Sequence, residues 1–471
     1  MRNHFASPQL PFNETSGPSG RVGALLGWLA FLFVSSAGGS ATAPAANRPN
    51  IVILYADDMG YGQPSVYGGK LAPTPHIDAL AAGGVRFTHG YATACVCSPS
   101  RVGIMTGRHQ ARTGHDGLTT EDPTHFLLRS ETLLPERLHA AGYVTGLVGK
   151  WHLGSTEGYR PTDRGFDRFY GTYTNKNECE RYFRGRDAIA KPPVDSPVFA
   201  EESVRFIREN KKRPFFLYQA FTAVHAPVEA SPIWLERFAH ISNPRDRVYA
   251  AMAAELDAAV GVIIAALREQ GVEENTLIFF TSDNGGASPS SDNGPFRGGK
   301  WSLLEGGIRE PMIVQWKTRI RPGQVIDVPV SQLDFFPTAL AAAALPVPSD
   351  PVLDGVDLLP LLTGAATAVK RDALYWRFGP QLAIRVGDWK LVRSERDETV
   401  ALYNLASDPG ESRDLSATEP ARAKALLERW QQWNVTMHAP RWADARMDGL
   451  RHRQELLQQR GERRKAKKAG D

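Results

Sequence analysis

The 471-residue sequence predicts an α/β fold: a large, mostly parallel (mixed) sheet sandwiched by helices, with a smaller C-terminal antiparallel sheet plus helix domain. Three observations carry this reading. Apolar runs recur at Asn50-Ile51-Val52-Ile53-Leu54-Tyr55-Ala56 and at 143–148, 215–221, 277–281 and 311–316, as expected of strands covered on both faces. Helical patterns lie at 76–82, 131–141 and, longest, 245–270, and strands alternating with helices produce a parallel sheet with helices on both faces. After about residue 362 short alternating strands take over. Segments 382–385 and 389–392 flank a Gly387-Asp388 turn, a hairpin signal, and 420–433 reads as one helix.

The chain therefore divides into a leader (1–43), a large N-terminal domain (44–365), a small α+β domain (366–440) and a basic helical or disordered tail (441–471). Hydrophobic residues at 42% and charged residues at 23% are ordinary for a globular protein and exclude wholesale disorder. The formal charge is +4, yet residues 451–471 alone hold eight Lys/Arg against three Asp/Glu. The body is then about neutral, which argues against a nucleic-acid partner. Three cysteines cannot build a disulfide scaffold, so Cys95 and Cys179 read as packing residues or at most one disulfide.

Residues 22–34 (VGALLGWLAFLFV) follow Arg21 and precede SSAGGSATA. A membrane span needs about 20 apolar residues, so this run predicts no stable span. It fits the apolar region of a signal peptide cleaved after Ala41-Thr42-Ala43, which places the protein outside the cytosol, periplasmic or secreted. Residues 1–20 are polar and long for the segment ahead of such a region.

Polar residues follow the ends of the parallel strands. Asp57-Asp58 closes the first, Asp283-Asn284 follows 277–281, and His225 lies just beyond 215–221. In an open parallel sheet ligands bind outside the carboxyl ends of the strands. Adjacent residues in a strand face opposite ways, so Asp57 and Asp58 can share a ligand only where the strand is ending. Three carboxylates and an amide carbonyl are hard oxygen donors, suited to one Ca²⁺, with Mg²⁺ possible, and not to zinc.

The sharpest motif is Cys97-Ser98-Pro99-Ser100-Arg101, continuing to Thr106-Gly107-Arg108. It resembles the maturation signature of the type I, formylglycine-dependent sulfatases of the alkaline-phosphatase superfamily. Cys97 and not Cys95 matches, because Pro must stand two residues on and Arg four. Further segments are similar to that family's: Asp57-Asp58-Met59-Gly60-Tyr61-Gly62, Gly149-Lys150-Trp151-His152, His225-Ala226-Pro227, Asp283-Asn284-Gly285-Gly286, and the stretch from Gly298 through Lys300 to Arg309. They cover residues 50–317 in the family's order, and Asp388-Trp389-Lys390-Leu391-Val392 extends the likeness into the small domain. Each piece alone has a plainer reading, a solvated lysine or a loop histidine; their joint occurrence carries the resemblance.

The resemblance implies a sulfuric ester hydrolase releasing inorganic sulfate from a sulfated glycan or a small sulfate ester. It implies that a maturase converts Cys97 to formylglycine, whose hydrate attacks sulfur with metal assistance. Asp57, Asp58, Asp283, Asn284 and modified Cys97 would hold the metal. Arg101, Lys150 and Lys300 would neutralise charge on sulfate and nucleophile. His225 would protonate the leaving alkoxide and His152 would regenerate the aldehyde. A phosphomonoester or phosphonate-ester hydrolase on the same fold, and a non-catalytic polyanion-binding protein, are the rival readings. Residues 175–193, with Arg181 and Arg184 beside Tyr182 and Phe183, read as a loop that contacts the substrate beyond its sulfate.

Overall fold

The computed structural model describes residues 48–174, 181–349, 352–394 and 399–442. Its N-terminal part runs through β1 (Asn50–Ala56), α1 (Pro75–Ala82), β2 (Val85–Phe87), β3 (Gly90–Tyr91), α2 (Cys97–Thr106), α3 (Leu134–Ala140) and β4 (Val144–Lys150). Next come β5 (Arg168–Thr172), β6 (Arg181–Arg184), β7 (Asp187–Ala190), α4 (Asp195–Asn210), β8 (Phe215–Ala220), α5 (Pro232–Arg237), α6 (Pro244–Glu269) and β9 (Thr276–Ser282). The domain closes with α7 (Glu305–Ile308), β10 (Met312–Gln315), β11 (Gln324–Ile326), β12 (Val330–Ser331), α8 (Phe335–Ala342) and α9 (Leu359–Leu362).

A ten-stranded sheet has the order β11-β2-β10-β9-β1-β8-β4-β5-β6-β7. Its centre, β9-β1-β8-β4-β5, is parallel. Every residue of β1 is buried, and its side chains alternate between two cores. Ile51, Ile53 and Tyr55 pack with Val102 and Met105 of α2 and with Phe335 and Phe336 of α8. Val52 and Leu54 pack with residues of α1, α4 and α6. Helix α6 is long and apolar enough to cross a membrane by length and composition, but 72% of its most apolar window is buried inside the protein.

Several expectations shift. The strand expected at 311–316 forms as β10 but runs antiparallel to β9. Between them only the four-residue α7 intervenes. The connecting residues 283–311 stay at the carboxyl end of β9, where Asn284 and Lys300 both meet Asp58, so β10 starts from that end and runs back antiparallel. The helix expected from 131 starts at Leu134, because Pro135 belongs to a first turn and Glu136 Oε2 reaches back to the Leu133 N–H at 2.7 Å. Residues 181–190, expected as loop, form the β6–β7 hairpin at the sheet edge. Residues 175–180, with Cys179, lie outside the described residues, as do the leader before residue 48 and the tail after 442. Arg441 and Trp442, the first residues of the expected tail, are packed against the large domain.

The small domain is a four-stranded antiparallel sheet, β13 (Leu374–Phe378), β14 (Gln381–Val386), β15 (Trp389–Arg393) and β16 (Ala401–Asn404), covered by α10 (Pro420–Asn434). The two domains meet on buried charge. Lys390 Nζ lies 2.9 Å from Glu305 Oε1 and 2.9 Å from Glu411 Oε1, with all three side chains fully excluded from solvent. Burial alone would raise the Glu305 carboxyl; Lys390, Arg309 and Arg385 overcome it and hold it below the usual range.

Candidate active site

The alternation that buries β1 carries Asp57 toward the face of α2, and β1 and β9 end side by side, with Ala56 opposite Ser282. Asp58 then turns into the left-handed region at φ 61°, as does His152 beyond β4 at φ 62°. Such backbone is uncommon outside glycine and clusters at functional sites. Helix α2 opens at Cys97, with Val96 extended as its N-cap, so the first N–H groups of the helix face the site.

Around Cys97 the sequence-predicted residues converge. Its Sγ is 3.5 Å from Asp57 Oδ1. Lys150 Nζ is 2.6 Å from Asp57 Oδ2, and Arg101 Nη2 is 2.9 Å from Asp283 Oδ2 and 3.5 Å from Asp57 Oδ2. Lys300 Nζ lies 2.9 Å from the Asp58 carboxylate, and His225 Nε2 is 3.7 Å from Asp58 Oδ2. His225 Nδ1 donates to the carbonyl of Ala226. Asp283 Oδ1 accepts the Asp58 N–H at 3.0 Å, and Asn284 Nδ2 donates to Asp58 Oδ1 at 2.7 Å.

Electrostatics follow from burial and neighbours. Burial would raise the Asp57 carboxyl, but Lys150, His225, Arg101 and Lys300 together hold it well below the usual range. Asp283 is pushed up to about 7, first by burial and then by Asp57. Burial keeps the Cys97 thiol protonated. Burial, then Lys150 and Arg101, push His152 well down, so its ring is neutral. Burial would deprotonate Lys300; the Asp58 carboxylate reverses this and keeps it charged.

These residues fit a hard divalent cation. Ligand atoms of Asp57, Asp58, Cys97 and His225 lie within 4.8 Å of one another. Asn284 Oδ1 is buried with no hydrogen-bond partner, a carbonyl oxygen left over for a metal. Asp283 sits beside this group, its two oxygens taken by Arg101 and the Asp58 N–H. Three acids face three cations here, so a divalent ion would leave net positive charge, the sign that attracts a sulfate ester.

Arg181 and Arg184 are not brought into this cluster. Arg184 is clamped by Glu202 at 2.8 and 2.5 Å and lies over the Tyr170 ring, so its guanidinium already has a carboxylate. Arg181 stands at the other end of β6, opposite Ala190. Two contributors escaped the sequence reading, and the first is the carbonyl of Thr119, 3.2 Å from His152 Nε2. A backbone atom leaves no residue-type signature. The phenolic hydroxyl of Tyr218, 3.4 Å from Arg101 Nη1, was hidden inside an apolar strand.

The Sulfatase family model matches residues 49–345, and the model for the C-terminal region of N-sulphoglucosamine sulphohydrolase matches 299–433. N-acetylgalactosamine-6-sulfatase of Canis lupus familiaris is 37% identical over 405 residues, 78% of this chain and 76% of that protein. Arylsulfatase A of Homo sapiens is 32% identical over 449 residues, 82% and 87% of the two chains. Among solved structures, Ps i-CgsB superposes with a TM-score of 0.81 at 30% identity, over 87% of this chain and 98% of that one. The chain belongs to the sulfatase family of the alkaline-phosphatase superfamily, and it is a sulfuric ester hydrolase.

Proposed function

We propose that this sulfatase is an exported enzyme that hydrolyses sulfate monoesters on a carbohydrate, with Cys97 matured to formylglycine and one Ca²⁺, or Mg²⁺, held by Asp57, Asp58, Asp283 and Asn284. The observation that carries it is the seat of Cys97: first residue of α2, 3.5 Å from Asp57, ringed by Arg101, Lys150 and Lys300. When present, the metal and the formylglycine hydrate supply an anionic oxygen nucleophile at neutral pH.

The chain's own residues do the rest. Arg101, Lys150 and Lys300 lie inside a water-poor pocket, where fixed cations act strongly on charge developing at sulfate. His225 holds a proton on Nδ1 against the Ala226 carbonyl, so it acts as an acid only in its doubly protonated form, passing the Nε2 proton to the leaving oxygen and returning to the Nδ1–H ring. His152 serves as the base that regenerates the aldehyde. A carbohydrate substrate is supported by the relatives: one is named for N-acetylgalactosamine 6-sulfate chemistry, and Ps i-CgsB was solved with a neocarrahexaose. The leader at 1–43 supports export.

The test is to mature the protein with a formylglycine-generating enzyme, locate the aldehyde by peptide mass spectrometry, and assay it on aryl sulfate, aryl phosphate and a panel of sulfated saccharides. The aldehyde is expected at 97, with sulfate turnover far above phosphate. An aldehyde at 95 only, or phosphate preferred over sulfate, overturns the reading.

A further inference from the structure

His152 presents an asymmetric pair of ring nitrogens. Nε2 faces the Thr119 carbonyl at 3.2 Å, while Nδ1 is buried with no hydrogen-bond partner. A carbonyl can only accept, so the neutral ring carries its proton on Nε2 and leaves the Nδ1 lone pair free. Whatever fixes that carbonyl therefore fixes which nitrogen is basic.

Thr119 belongs to the segment 109–126, and its other groups are all occupied. Its N–H donates to Ser98 Oγ at 2.9 Å, next to Cys97. Its hydroxyl lies 3.2 Å from His115 Nε2 and donates to the His125 carbonyl at 3.3 Å. The two histidines are in turn gripped by the end of the described chain. Trp442 stacks on His125 with ring centres 4.6 Å apart and planes at 18°, and meets His115 edge-on at 4.7 Å and 80°. Arg441 donates to the carbonyls of Thr124 and Phe126.

The fit extends along both partners. The backbone N–H of His438 and of Arg441 donate to the carbonyls of Ala111 and Gly114. A Cβ on Gly114 would meet the Ala439 carbonyl at 2.4 Å, and one on Gly117 would meet Trp442 Nε1 at 2.6 Å. Arg377 of the small domain ties the two strips together, with Nε and Nη2 on the Asp116 carboxylate at 2.9 and 2.7 Å and Nη2 on the His438 carbonyl at 2.7 Å.

We propose that residues 438–442 form a strap that positions His152: by clamping 109–126 they hold the Thr119 carbonyl on Nε2 and keep Nδ1 as the basic nitrogen. Arg441 and Trp442 are then positioning residues, more than 300 residues away in sequence from the segment they control. The inference rests on the proposed role of His152 as base, but its first readout does not require turnover.

The test uses the full chain without maturation, labelled with ¹⁵N-histidine, with His152→Ala to assign the resonance. The wild type is expected to show the Nε2–H tautomer at His152. Trp442→Ala and Arg441→Ala are expected to give a mixture of tautomers, and Trp442→Phe to restore the single form. In matured protein the two alanine variants should lower kcat about tenfold with KM within about twofold, the pattern of a misplaced catalytic group. If Trp442→Ala is too unstable to measure, Arg441→Ala alone decides. An unchanged tautomer in the alanine variants, or a lower melting temperature with kcat intact, would overturn the proposal. A tautomer change without aldehyde or sulfate turnover would leave the strap standing and sink the enzymatic reading.

Discussion

Lys150 Nζ lies 2.6 Å from Asp57 Oδ2, and both side chains are about 1% exposed. The pair joins the ends of two strands, β1 and β4, that do not touch: β8 lies between them. Removing one partner of such a pair leaves a buried charge without compensation. We expect Lys150→Ala to cost about 3 kcal/mol of folding stability in addition to its loss of turnover. Urea denaturation at neutral pH measures it. A cost within error of zero would mean that Arg101, 3.5 Å away, carries Asp57 unaided.

Cys97 is buried but contributes a small volume and one long contact to Asp57. Cys97→Ala should abolish sulfate-ester hydrolysis while shifting Tm by less than about 3 °C. Differential scanning calorimetry beside an aryl-sulfate assay separates the two effects. A large loss of Tm would show that the side chain is structural.

Asn284→Ala removes the amide whose oxygen is buried and unpartnered. Calcium affinity, followed by titration calorimetry on the unmatured chain, should fall roughly tenfold, or about 1.4 kcal/mol. EGTA should lower wild-type activity. Unaltered calcium binding in the variant would remove Asn284 from the ligand set.

Asp354 offers a pH test away from the catalytic centre. Burial would raise its carboxyl, but the guanidinium of Arg112, at 2.7 and 2.6 Å, and the His109 N–H hold it below its usual value. A carboxyl depressed in the folded state contributes stability that is complete above the unfolded pKa of about 4 and is lost as pH falls through the folded value. Asp354→Asn should therefore cost about 1–2 kcal/mol at pH 7 and progressively less below pH 4. Denaturation midpoints compared at pH 7 and pH 3 check the sign.

For the β6–β7 hairpin, Arg184→Ala should leave kinetics on aryl sulfate and saccharide alike, because Glu202 already occupies the guanidinium. Arg181→Ala should raise KM about threefold on the saccharide only, the mark of an interaction made equally in ground and transition states. An effect of Arg184→Ala confined to the saccharide would reverse this assignment.

What could be read from the sequence followed the strand ends. Apolar runs that stop in acid placed Asp57, Asp58, Asp283 and Asn284, and the spacing of Pro99 and Arg101 in the Cys97-Ser98-Pro99-Ser100-Arg101 motif singled out Cys97. The direction of β10 was not readable, because the apolar pattern of a buried strand is the same in either direction. Arg184 looked available because its partner, Glu202, lies 18 residues on, on a helix face whose packing no local pattern reveals. Thr119 was invisible for a different reason: it works through a carbonyl that every residue possesses. Lys390 stood in a motif, yet its burial between Glu305 and Glu411 depends on a contact spanning 85 positions.

That buried lysine bears on how such enzymes could be recombined. Lys390 belongs to the C-terminal sheet, whereas Glu305 sits in the segment that also delivers Lys300 to the pocket. A chimera joined near residue 366 would graft the small domain of one sulfatase onto a Glu305 shaped for another, and any mismatch would strand an ionised group in a dry junction. The two halves are thus not interchangeable cassettes. Glu305, Lys390 and Glu411 would have to travel as a set, and shuffling experiments should place their crossovers on one side of all three.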